Sequence, residues 1–130
     1  MEGYKMKIKR MCEKDTRNIN GIMYESKSME RAIKEYMSRD DMARMVQTID
    51  SYDEIQNTSQ FYAIDPSKVV GVVREITDTD VDIDFSSDFK DKDLSQYRVA
   101  FRMIGKTAET SDEYAVERII AADLILNPRK

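Results

Sequence analysis

The chain of 130 residues contains no histidine and no tryptophan, one cysteine, two prolines and four glycines. Each shortage closes off a class of chemistry. Without histidine, no Ser-His-Asp or Cys-His nucleophile can be built within the chain, and the commonest general base near neutral pH is missing. Cys12 alone allows neither an intrachain disulfide nor a cysteine-based zinc site, and it fits a reducing cytoplasm. Gly3, Gly21, Gly71 and Gly105 stand apart, so the sequence holds no glycine-rich phosphate loop. No hydrophobic run is long enough to cross a bilayer as a helix, and the first residues are too polar for a secretory leader.

What remains is ample for one core. Hydrophobic residues make up 41% and charged residues 35%, which predicts a single α+β domain over residues 1–130 that needs no staples. The net charge is -4, but the charges are segregated. Lys5, Lys7, Lys9 and Arg10 face only Glu2 at the start. Asp78, Asp80, Asp82, Asp84, Asp88, Asp91 and Asp93 outweigh Lys90 and Lys92 in the middle. A basic end and an acidic centre suit self-association or docking on a charged partner, or are simply two solvated faces. Nucleic acid is a poor fit to either.

The apolar periodicity alternates between strand and helix. Tyr4 to Lys9 alternates apolar and basic residues, the period of a half-buried strand. Asp15 to Gly21 reads as a loop, with Asn20-Gly21 as a tight turn and Gly21 at positive φ. A helix begins near Ser26 or Ser28, and Met29, Ala32, Ile33, Tyr36 and Met37 form one stripe along it. A second helix is predicted from Asp40 or Asp41, carried by Met42, Met45, Val46 and Ile49. Strands follow at Phe61–Ile64, Val69–Ile76, Val81–Phe85 and Tyr97–Met103. Gly71 marks a bulge or a close backbone approach. Tyr114–Leu126 fits strand or helix, and its clustered apolar residues favour strand. The sum is a mostly antiparallel sheet or small barrel with two helices inserted after the first strands. Its expected core is Ile8, Ile33, Tyr36, Val70, Val72, Val81, Ile83, Phe85, Val99, Phe101, Ile120 and Leu124.

Few residues carry recognisable chemistry. Cys12 lies among Lys9, Arg10 and Lys14, which would favour a thiolate, although a lone cysteine is ordinarily a small structural residue. Asp78, Asp80, Asp82 and Asp84 are spaced like a calcium loop. The required Gly and Glu are absent in both registers, where Ile83 and Phe89, or Phe85 and Asp91, stand instead. Asp80, Asp82 and Asp84 would line one face of a strand, either in solvent or pairing with Arg98 and Arg102. These five residues form the candidate interaction surface. Tyr97 and Phe101 suggest an RNA-stacking row, but the acidic strand argues against it. No catalytic residue, cofactor or metal is expected.

A resemblance adds context. Asn18-Ile19-Asn20-Gly21-Ile22-Met23-Tyr24 followed by Met29 to Tyr36 resembles the "N-x-N-G-x-x-Y … A-I-x-x-Y" segment of tailed-phage prohead proteases and related phage head proteins. Val69 to Val73 with Val81 to Asp84 is similar to their central strand pair, and Arg118 to Leu124 to their last core strand. Those proteases carry a serine nucleophile and histidines after the helix, whereas Asp40 to Asn57 here has no histidine. The resemblance therefore implies a non-catalytic relative. It would be a head, decoration or auxiliary subunit that contacts other virion or capsid proteins, as a homo-oligomer, in the virion or host cytoplasm. The competing expectation is a small phage inhibitor of a host defence, acting by acidic mimicry or ligand sequestration. An enzyme built on carboxylates is the third.

Overall fold

The computed structural model describes residues 4–14, 16–17, 21–49, 58–86, 93–107 and 113–126. Strands β1 (Tyr4–Lys9) and β2 (Met23–Tyr24) precede helix α1 (Ser26–Met37), and β3 is Met45–Ile49. A single helical turn, Thr58–Tyr62, leads to β4 (Val69–Ile76), β5 (Asp80–Phe85), β6 (Tyr97–Thr107) and β7 (Glu113–Leu126). All seven strands join one sheet in the order β1-β5-β4-β3-β7-β2, with β6 on the other side of β7. Four of its strand pairs are antiparallel, while β2 and β3 both run parallel to β7. The fold is thus α+β and dominated by its sheet, but the sheet is not closed. Near the ends of this curved arrangement, β1 and β6 meet at one isolated bridge, Arg10 to Val99.

Helix α1 follows from its apolar stripe and starts at Ser26, but neither serine caps it. Glu25 is the N-cap, and its carboxylate accepts from the amides of Lys27 and Ser28, both at 2.9 Å. Those two amides hold the Glu25 pKa below its ordinary value. Ser28 is buried instead: its hydroxyl donates to the Glu25 carbonyl and accepts from the Val116 amide, each at 3.0 Å. That pair of bonds seats the helix on β7. Met29, Ala32 and Tyr36 then enter the core beside Val46, Val73, Ile83, Ile119 and Leu124.

Two element assignments are corrected. The helix expected from Asp40 or Asp41 is a short 3-10 turn at Asp41–Arg44, capped by Asp40 at 3.1 Å from the Ala43 amide, and then strand β3. The helical stripe was coincidental, since Met42 is 74% exposed. Strand β3 has Val46, Gln47 and Ile49 buried with both faces covered, which erases the alternation that marks a half-buried strand. Phe61–Ile64, expected as a strand, instead contributes Phe61 and Tyr62 to the helical turn. Tyr114–Leu126 is indeed strand.

The core matches at Ile8, Tyr36, Val70, Val81, Ile83, Phe85, Val99 and Leu124. Ile33 and Phe101 are only half-buried against it, and Val72 and Ile120 are half-buried too. Bulges explain the shift. Register slips next to Val70 and Ile120 each insert one extra residue, so Val73 and Ile119 take the inward positions. Gly71 combines both expectations, because it flanks a bulge and a Cβ there would stand 2.6 Å from the Asp84 carbonyl.

Two predictions arise here. The Tyr36 hydroxyl is fully buried with no hydrogen-bond partner among the described residues, and burial pushes its pKa up. Tyr36→Phe should leave stability unchanged or raise it, by up to about 1 kcal/mol, because the unmade bond disappears with the hydroxyl. A clear loss in urea denaturation would mean that the hydroxyl is satisfied after all. Gly21 sits at φ +79° with open space around its α-carbon. Gly21→Ala should therefore cost about 1–2 kcal/mol from backbone strain alone, and an unchanged melting temperature would contradict the left-handed turn.

Candidate functional site

The outer face of β1 and β5 brings the two charged segments of the sequence together. In the antiparallel register Lys5 lies opposite Asp84, Lys7 opposite Asp82 and Lys9 opposite Asp80. Directly opposed residues share a face, so the basic start and the acidic row offset one another. Asp82 also lies opposite Glu75 on β4. Asp84 continues the ladder outward. Its Oδ2 is 3.3 Å from Arg74, whose other nitrogen is 2.9 Å from Asp41. Among the described residues no group of His, Cys, Asp or Glu is placed to hold a metal ion, and no helix is long and apolar enough to cross a membrane.

Arg98 and Arg102 do not pair with this row, because β5 and β6 are not neighbours in the sheet. Arg102 is not on a surface at all. It is 3% exposed and forms a two-pronged ion pair with Asp123, which is 0% exposed, at 2.9 and 3.0 Å. Its remaining nitrogen donates to the carbonyls of Phe61 and Ala63, both at 2.9 Å. Gln47, beside Asp123 in the register, accepts from the Asp65 amide at 2.8 Å. The buried charges thus tether the Phe61–Asp65 segment over the sheet face opposite the core. A lone acid inside the apolar run Ile119 to Leu126 was the available clue to Asp123, since a buried carboxylate needs a partner.

Arg98 belongs to a different place. Where β1 and β6 diverge from the Arg10–Val99 bridge, a cleft of about 520 Å³ opens between Met6–Lys9 and Asp93–Arg98. Met6, Ile8, Leu94 and Tyr97 supply its apolar lining, and Lys7, Lys9 and Arg98 supply cations, against Asp93. Arg98 is positioned by donating to the carbonyls of Ser95 at 3.0 Å and Tyr97 at 2.8 Å. The volume lies within the range of ligand sites. The closed end is held by Arg10, which donates to the Thr77 carbonyl at 2.9 Å and stacks over Phe101. Burial lowers the Arg10 pKa from its ordinary value. Cys12 lies half-buried in the following loop, with Sγ 3.5 Å from the Thr16 carbonyl.

Of the five residues expected to form one surface, Asp80, Asp82 and Asp84 share a face, Arg98 lines the cleft, and Arg102 is internal. The cleft could not be read from the sequence, because it exists only where two strands 90 residues apart fail to meet (Ile8 and Arg98 both line it). No family model, curated protein or solved structure matches this chain.

Proposed function

We propose that this chain is a non-catalytic assembly protein of a phage head, acting through protein–protein contacts along the open side of its sheet. The observation that carries this reading is the unclosed seam between β1 and β6, with an apolar lining and a cationic rim. An open strand edge is a template for another chain, and proteins that do not use such edges normally cover them. The phage setting rests on the resemblance of the segments around Asn18 to Tyr36, Val69 to Asp84 and Arg118 to Leu124. The second of these segments spans the paired strands β4 and β5, and the third lies on β7. Partners are then other virion subunits or further copies of the chain.

Acidic mimicry of a host target is less well supported, because Asp80, Asp82 and Asp84 each stand opposite a lysine. Quantitative proteomics of purified particles from the phage encoding this chain separates the two readings. The assembly reading expects many copies per particle, in fixed ratio to the major subunits. Absence from particles, with the chain found only in infected-cell lysate, would overturn it.

A further inference from the structure

The seam has a chemistry specific enough to name what fills it. We infer that the cleft between β1 and β6 takes an extended partner segment of alternating apolar and acidic residues, added as a strand to the free edge of β1. This rests on the assembly reading above and specifies its contact.

The backbone of β1 supplies the first requirement. Successive residues of a strand direct their N–H and C=O groups to opposite edges. Arg10 donates its amide to Thr79 at 2.8 Å, on the β5 side, and Met11 donates to Val99 at 2.8 Å, on the β6 side. By that alternation Lys7 and Lys5 direct theirs into the seam. Short of the Arg10 bridge, no described strand pairs with that edge. The lined stretch, Met6 to Lys9, accommodates a segment of about four residues, or about 13 Å of strand.

The side chains then select the partner. Lys5, Lys7 and Lys9 are exposed on one face of β1, while Met6 and Ile8 turn to the other. On its occupied edge, β1 already pairs with such a strand: β5 reads Asp80-Val81-Asp82-Ile83-Asp84-Phe85, acids opposite lysines and apolar residues opposite Met6 and Ile8. The free edge carries the same two faces. The far wall repeats the pattern, with Leu94 and Tyr97 lining the cleft and Arg98 adding a third cation. A strand of β5-like pattern would therefore place its apolar side chains over Met6, Ile8 and Tyr97 and its carboxylates between Lys7, Lys9 and Arg98. Strand addition of this kind draws affinity from main-chain bonds and selectivity from alternate side chains.

The test uses the full chain and synthetic peptides carrying the Asp80–Phe85 sequence, followed by fluorescence anisotropy. Saturable binding is expected for that peptide and not for a scrambled peptide of equal composition. N-methylation of alternate peptide amides should abolish binding in one phase and spare it in the other, which charge attraction alone would not do. Arg98→Glu should weaken binding about five- to tenfold, the scale of an exposed ion pair turned to repulsion, with the melting temperature confirming that this variant folds. Equal binding of the scrambled peptide, indifference to the methylation phase, or no binding would overturn the inference. So would a stable dimer that the peptide cannot dissociate, which would assign the seam to a second copy. Failure of the peptide to bind while the chain remains abundant in particles would reject this contact and leave the assembly reading standing.

Discussion

Asp123→Ala should destabilise the protein by about 3–5 kcal/mol, the range for removing one member of a buried ion pair. The substitution leaves the Arg102 guanidinium at 3% exposure with its carboxylate gone, while the Phe61 and Ala63 carbonyls remain. Against a total stability of about 5–15 kcal/mol for a domain, that loss is large. The effect belongs to the unpaired charge and not to the net worth of the pair. Arg102→Met with Asp123→Leu should therefore recover most of the stability, since apolar replacements of buried pairs are often neutral. The double variant would still lose the tether to the segment before β4. Its amides near Ala63 and Asp65 should exchange faster even where the melting temperature is restored. Equal damage from the single and double changes would contradict this division.

The second large effect is steric. A Cβ at Gly105 would fall far inside contact distance of the Ala115 carbonyl and against the Tyr114 ring, and one at Gly71 would meet the Asp84 carbonyl at 2.6 Å. Both glycines let a neighbouring strand approach where a bulge tightens the sheet. Gly105→Ala should cost about 3 kcal/mol, the upper end for overpacking, with Gly71→Ala close behind. Both should exceed Gly21→Ala, where only the turn is strained. Chemical denaturation of the three variants side by side is the check. A Gly105→Ala protein as stable as the parent would contradict the close β6–β7 approach at this position.

Part of this structure is legible in the sequence. Strict alternation at Tyr4 to Lys9 and Val81 to Phe85 located β1 and β5, because each has one buried face and one wet face. The same rule failed at β3, where both faces are covered and Met42, Met45, Val46 and Ile49 mimicked a helical stripe. Bulges at Val70 and Ile120 moved the inward positions by one residue, which no periodicity reveals. Gly21 and Gly71 were legible because glycine has few other reasons to stand at a turn or inside a strand. The charged residues were the hardest. Asp80, Asp82 and Asp84 suggested a surface, but the lysines opposite them arrive from 71 to 79 residues upstream through a pairing that only the topology supplies (Lys7 opposite Asp82 is one such pair). Arg98 and Arg102, four residues apart on one strand, were grouped together. One lines the cleft and the other is buried, because covering by the Phe61–Asp65 segment decides their exposure.

Hydrogen exchange along β1, measured on the free chain and on assembled particles, reports on the seam itself. If the seam is the contact, the amides of Lys5 to Lys9 that face it exchange readily in the free chain. They should slow at least tenfold on assembly, while β4, already paired on both sides, changes little. Unchanged exchange in β1 on assembly, or full protection of the Lys7 amide in the free chain, would contradict the account.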